Sequence, residues 1–188
     1  FRVLSRATAA HSTATLNDTS SCRFSLSNTM TKILGTALIK GPQKVAVERQ
    51  DGDGWQGFTA RHDGYVPTFQ TLHERSLVLS SGGSVLDGTD RFTLTKGRPS
   101  RSGSTDNVVI RFHLHPNVRP IINADGHLML MVERGDSWVF TSTEVAPQLV
   151  DSIFFAGVTG PVKTQAIILE FHPRDISTVN WRFTRTAL

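Results

Sequence analysis

A chain of 188 residues with 38% hydrophobic and 19% charged side chains can build one sizeable core and is too apolar for a disordered polymer. Its longest strongly apolar runs, Leu128 to Val132 and Ile153 to Val158, fall far short of the roughly 20 residues of a spanning helix, so a soluble single domain over residues 1–188 with no membrane partner is expected. The formal charge of +4 is scattered except around Lys96 to Arg101, which permits an acidic partner without demanding one; an ordinary solvated surface is preferred and no nucleic-acid partner is expected.

Phe1 to Arg6 lacks the apolar core of a signal peptide, so Phe1 is expected to mark a processing boundary with sequence lost before it. Cys22 is the single cysteine; it allows no internal disulfide and leaves periplasm and cytoplasm equally open. Met30, Ile33, Leu34, Ala37 and Leu38 stand at helical spacing, but Gly35 and Thr29, Thr31 and Thr36 weaken a helix, and loop and strand is preferred there.

From Lys44 onward the alternation has period two. Val45 and Val47 share one strand face before Asp51-Gly52-Asp53-Gly54, a hairpin signal because Asp and Gly tolerate positive φ. Lys96 to Asp106 has no apolar residue and is expected to form a mobile loop within the domain. Ile110, Phe112 and Leu114 then face one way and Arg111, His113 and His115 the other, until Pro116 stops the strand. Leu128, Leu130 and Val132, then Trp138 and Phe140, and finally Val179, Trp181 and Phe183 repeat the pattern. So many short strands predict an all-β, two-layer antiparallel β-sandwich with little or no helix; the absence of a fixed repeat argues against a propeller or solenoid.

Seven histidines invite a search for chemistry. His113 and His115, at i and i+2 of one strand, could reach one metal ion, but no third ligand stands nearby, and two hydrogen-bonded histidines on a sheet face is the preferred reading. Arg61-His62-Asp63-Gly64-Tyr65 and His73-Glu74-Arg75 gather acid, base and anion-binding groups. A turn at Asp63-Gly64 pairing two strands would bring them together for architectural reasons alone, and that reading is slightly favoured. No phosphate-binding glycine loop, zinc-type cysteine pair or serine-hydrolase elbow is present, and Arg134-Gly135-Asp136 needs no explanation beyond a hairpin turn.

The segment Arg6-Ala-Thr-Ala-Ala-His-Ser-Thr13 with Asn17-Asp18 resembles the alanine–histidine segment of heparinase II/III-like proteins. The resemblance runs on through His62-Asp-Gly-Tyr65, His73-Glu-Arg75, Leu86-Asp-Gly-Thr-Asp-Arg91, Arg111-Phe-His-Leu-His-Pro116 and Val179-Asn-Trp-Arg-Phe183, in the order and spacing of the family's bacterial branch. It implies the C-terminal, supersandwich-like β region of a lyase that cleaves uronic-acid-containing polysaccharides by β-elimination. The N-terminal helical toroid, expected to be absent from this chain, would be its partner, with an acidic polysaccharide as substrate. Elimination needs the uronate carboxylate neutralised, a base for the C5 proton and an acid for the departing oxygen; the resemblance places the tyrosine and histidine sharing these tasks before Phe1, so no catalytic residue is expected here. It also makes His11 a metal ligand whose partners, a His-x-His pair and an aspartate, lie upstream. A zinc or calcium ion is thus expected in the full-length parent and none in this chain alone. Ser12 departs from the asparagine frequent in the family. His62, Tyr65, His73 and Arg75 become the substrate-binding candidates.

Three functions compete: the lyase portion, inactive by itself; a non-catalytic glycan-binding or architectural sandwich; and an independent metal hydrolase on His113 and His115, the weakest for want of a third ligand and a base.

Overall fold

The computed structural model describes residues 4–25, 32, 38–95, 106–124, 126–133, 135–158 and 160–186. All but residue 32 of the helix-or-strand segment from Met30 to Ala37, the loop from Lys96 to Thr105, and Arg134 lie outside the described residues.

In chain order the strands are β1 (Ala14–Leu16), β2 (Arg23–Phe24), β3 (Leu38–Lys40), β4 (Val45–Gly52), β5 (Trp55–His62), β6 (Thr71–Ser80), β7 (Val85–Leu94), β8 (Val108–His113), β9 (Val118–Ile122), β10 (Leu128–Val132), β11 (Ser137–Ser142), β12 (Gln148–Phe154), β13 (Val162–Phe171) and β14 (Thr178–Thr186). The one-turn helix α1 (Val66–Phe69) and two 3-10 turns, Leu4–Arg6 and Thr8–Ala10, are the helical elements among these residues. Eight strands form an antiparallel sheet in the order β4-β5-β6-β7-β14-β11-β10-β9, and four form a second, β1-β8-β13-β12. A two-stranded ribbon, β2-β3, lies apart from both. The expected all-β sandwich is what the sequence builds.

Register explains the layers. Paired residues share a face, so Phe92, Asp90, Gly88 and Leu86 of β7 align with Val179, Trp181 and Phe183 of β14 and onward with Phe140 of β11 and Leu128 of β10. The short sheet presents Ala14, Leu16, Val108, Ile110, Phe112, Ile167, Leu169 and Phe171 to this face, and the two sets make one buried cluster. Phe112 lies at its centre, with ring centroids 4.7 Å from Trp181, 5.1 Å from Phe140 and 5.7 Å from Phe183. As the alternation predicts, Trp181 is buried, while Phe183 packs partly buried at the cluster's margin.

The hairpin at Asp51 to Gly54 forms as expected, with Gly54 at φ +80°. Its apolar face does not find cover, however: Val45 and Val47 remain 65% and 64% exposed. Four strands cannot span eight, so β4 and the hairpin-side ends of β5 and β6 overhang the short sheet. There Val47, Phe58, Leu77, Leu79 and Leu86 line an open groove of about 520 Å³.

Gly88 is required by the core. It faces Trp181 across the β7-β14 pair, and a Cβ at position 88 would overlap the indole. Gly88→Ala should destabilise by about 1–3 kcal/mol through overpacking, and Trp181→Ala by about 3–5 kcal/mol through loss of buried surface. Because the clash vanishes with the indole, the double variant should cost measurably less than the sum in chemical denaturation; strict additivity would show that the two do not meet.

Candidate functional site

Inward positions of a sheet normally carry apolar side chains, yet one row across β5, β6 and β7 carries His62, His73, Arg75 and Asp90. Register places them together: His62 opposite His73, and Arg75 opposite Asp90. A buried carboxylate needs every lone pair met. Asp90, with no exposure, accepts from His73 Nε2 at 2.7 Å and Arg75 Nε at 2.8 Å on Oδ1, and from the second Arg75 nitrogen at 2.9 Å and Trp181 Nε1 at 2.8 Å on Oδ2. Burial pushes its carboxyl up, but the hydrogen bond from His73 and the charge and hydrogen bonds of Arg75 outweigh that and hold it below its ordinary value.

The tautomers follow from donor bookkeeping. With His73 Nε2–H given to Asp90, Nδ1 is an acceptor for His62 Nε2–H at 3.4 Å, and His62 Nδ1 accepts the Gly64 N–H at 3.1 Å. Phe92 stacks on the His73 ring, 4.9 Å between centroids. Burial first and the neighbouring His73 second drive His62 from 6.5 down to about 4, against a weaker pull from Asp63. His62, His73 and Asp90 therefore form a directional hydrogen-bonded chain ending on a carboxylate.

Two members of the constellation reach the segment after His11. Arg75 donates to the Ser12 carbonyl at 2.6 Å, and the Tyr65 hydroxyl donates to the Ala14 carbonyl at 2.7 Å. From the other sheet, His113 N–H donates to Ser12 Oγ at 3.0 Å and Arg111 N–H to the Thr13 carbonyl at 2.9 Å. Ser12 to Ala14 is thus sewn to both sheets while His11 itself stays exposed. Beside it opens a cleft of about 460 Å³ between the layers, walled by Ser12, Arg75, His113 and His115 over a floor including Phe112 and Trp181.

The four substrate candidates meet as one group, but Tyr65 and His73 are 1% and 3% exposed. Burial raises the Tyr65 phenol well above its ordinary range, so it acts as a neutral donor. The connection from β5 to β6 is not the tight Asp63-Gly64 turn expected from sequence; it contains α1, which carries Tyr65 into the core. His113 and His115 share no ligand. His113 bonds Ser152 Oγ at 2.7 Å and the Ala9 carbonyl at 2.9 Å, whereas His115 accepts from Asn117 N–H and packs edge-on against Phe154. Among the described residues no group of three His, Cys, Asp or Glu side chains could hold a metal ion. Among the described residues His11 has no companion donors, so a metal there would need ligands from elsewhere.

Asp90 and Trp181 were not assigned a role from sequence. The signal was there: Asp90 alternates with Leu86, Gly88 and Phe92 at an inward position, where an acid must be paired.

The family described as heparinase II/III-like, C-terminal, matches residues 1–182. The chain belongs to this family. FtsZ-localized protein C of Caulobacter vibrioides is 28% identical over 183 residues, 94% of this chain but 31% of that protein. Among solved structures, a heparan sulfate lyase of Pedobacter heparinus superposes with TM-score 0.69 at 14% identity, over 100% of this chain and 26% of its own. A heparinase III gives TM-score 0.62 at 10% identity, over 98% of this chain and 24% of its own. At these identities the likeness is one of fold. The heparinase II/III-like chain described here spans about a third or less of each of these relatives.

Protonating His62 would set Nδ1–H against the Gly64 N–H. Between pH 6.5 and about 4 the unfolded chain binds a proton at residue 62 that the folded chain refuses, so this contribution to stability is complete above pH 6.5 and lost as the pH falls toward 4. Urea midpoints should decline across that window in the parent chain and less steeply in His62→Gln. Parallel declines would sever His62 from the effect.

Proposed function

We propose that residues 1–188 form one C-terminal domain of a polysaccharide lyase acting on uronic-acid-containing glycans by β-elimination, with a helical toroid upstream in the parent and no turnover by this domain alone. Family membership and the lyase-like fold support the reading, and the burial of Tyr65 and His73 carries the last part of it: the best acid–base candidates here are spent inside the fold, Tyr65 on the Ala14 carbonyl and His73 on Asp90. In this reading Tyr65 and His73 are positioning residues. Arg75, on the wall of the cleft, and the half-buried His62 are left to meet substrate, with Arg75 the group suited to a carboxylate or sulfate. His11 contributes one ligand to a zinc or calcium site completed by upstream residues. The exposed groove at Val47, Phe58 and Leu79 is apolar surface that the rest of the parent would cover.

One observation favours a second reading, a non-catalytic glycan-binding or architectural module. The relative at 28% identity carries a name that refers to localisation with FtsZ, while the solved lyases stand at 10–14%.

The full-length parent and the 188-residue chain, each with heparin, heparan sulfate or alginate and with added zinc or calcium, separate the readings by ultraviolet detection of the unsaturated uronate. Product from the parent alone is expected. Product from the chain would return the chemistry to this domain, and a parent inert on every uronate would leave the module.

A further inference from the structure

The ribbon β2-β3 contains an arrangement the lyase reading does not use. Arg23 and Lys40 are directly opposite one another in its register, and both are exposed. Like charges facing each other across a strand pair repel. Among the described residues neither takes part in an ion pair. Both line a pocket of about 320 Å³ whose other walls include Ser20, Ser21, Gly64 and Thr68, with no carboxylate among the described lining residues.

The Ser20 hydroxyl is arranged to donate. Ser20 Oγ accepts the Thr8 N–H at 3.1 Å, leaving its own hydrogen to point elsewhere. The Thr8 hydroxyl accepts the Ser21 N–H at 3.0 Å and lies 3.2 Å from Ser21 Oγ. The Ser21 hydroxyl donates to Cys22 Sγ at 4.0 Å, so Ser20 is the serine left to donate. Gly64 lets two backbone segments converge, since a Cβ there would stand 2.9 Å from the Ser21 carbonyl. Two cations and two hydroxyl donors, with no acid among them, form a concavity that lacks only negative charge.

We propose that this pocket is an oxyanion site, taking a sulfate or carboxylate group through Arg23 and Lys40, with Ser20 and Thr68 as hydroxyl donors. A bound anion converts the cross-strand repulsion into two charge-assisted contacts. The further step, that the anion is borne by a glycan, rests on the lyase reading; the oxyanion chemistry does not.

The test uses the 188-residue chain with three probes: inorganic sulfate, a heparin tetrasaccharide and the same tetrasaccharide desulfated. The double variant Arg23→Gln/Lys40→Gln is compared with a charge-matched control, Lys163→Gln/Arg174→Gln, altering two exposed cations elsewhere. Loss of two charge-assisted contacts should weaken tetrasaccharide binding by about tenfold or more in the first double variant and far less in the control. Retained affinity for the desulfated sugar identifies the uronate carboxylate as the anion, and its loss identifies sulfate. The urea midpoint of the Arg23→Gln/Lys40→Gln chain should hold or rise, because repulsion is relieved; a merely structural pair would lower it. Equal weakening in both double variants, or no response of the parent chain to any probe, overturns the site. Sulfate bound through Arg23 and Lys40 without either sugar keeps the oxyanion site and overturns its glycan assignment.

Discussion

A carboxylate buried among four donors is expensive to assemble and more expensive to break, and Asp90 is the point from which the arrangement of this domain is set. It stands on β7 and gathers His73 and Arg75 from β6 and Trp181 from β14. Taking an ion out of water costs several kcal/mol, offset only when geometry and hydrogen bonding are complete. Remove the carboxylate and the Arg75 guanidinium, 15% exposed, is left beneath the sheet without its counter-charge; remove Arg75 and the carboxylate is stranded. The network consequently specifies one packing of β6, β7 and β14 where an apolar row would tolerate several. Through Arg75 the same specification passes to Ser12, on the chain entering the opposite sheet, so a polar cluster inside one layer fixes how the other layer begins.

What the sequence made legible follows the range of the forces involved. Period-two alternation is dictated by the pleat of a single strand, and it located the inward residues Ile110, Phe112, Leu128, Phe140, Val179 and Trp181 without reference to any other part of the chain. Coverage is non-local. Val45 and Val47 alternate as well as any pair, but their exposure depends on β4 being the edge strand of an eight-stranded sheet that a four-stranded one cannot span. The grouping of His62, Tyr65, His73 and Arg75 was visible because β5 and β6 are neighbours in sequence as well as in space. Asp90, one strand further on, required the register of β7, and the burial of Tyr65 required knowing that the connection makes a helical turn.

The single-residue detail at Gly88 shows how the apolar and polar parts of the row coexist. With hydrogen in place of a side chain, the Trp181 indole lies flat across β7, and from there its N–H reaches Asp90 while its rings meet Phe112. The Arg75 guanidinium, 5.6 Å from the indole and 5.9 Å from the Phe112 ring, gains cation–π attraction from the same surface. An indole therefore satisfies the carboxylate, shields the guanidinium and fills the core at once. Phe at position 181 would preserve the packing and leave Oδ2 of Asp90 with the Arg75 nitrogen as its one remaining donor, which is why the alternation alone, indifferent to which aromatic stands there, could not reveal the role.

The connection between β5 and β6 carries the final link. Its Gly64 N–H closes the histidine chain on His62 Nδ1, its Tyr65 hydroxyl holds the Ala14 carbonyl, and its Gly64 and Thr68 wall the pocket beside Arg23 and Lys40. A side chain at position 64 would press on the Ser21 carbonyl on one side and, at 3.1 Å, on His62 Nδ1 on the other. The two can be relieved only by moving the backbone that orients both. The ribbon pocket and the Ser12 to Ala14 segment are therefore linked: one eight-residue connection walls the first through Gly64 and Thr68 and holds the second through the Tyr65 hydroxyl.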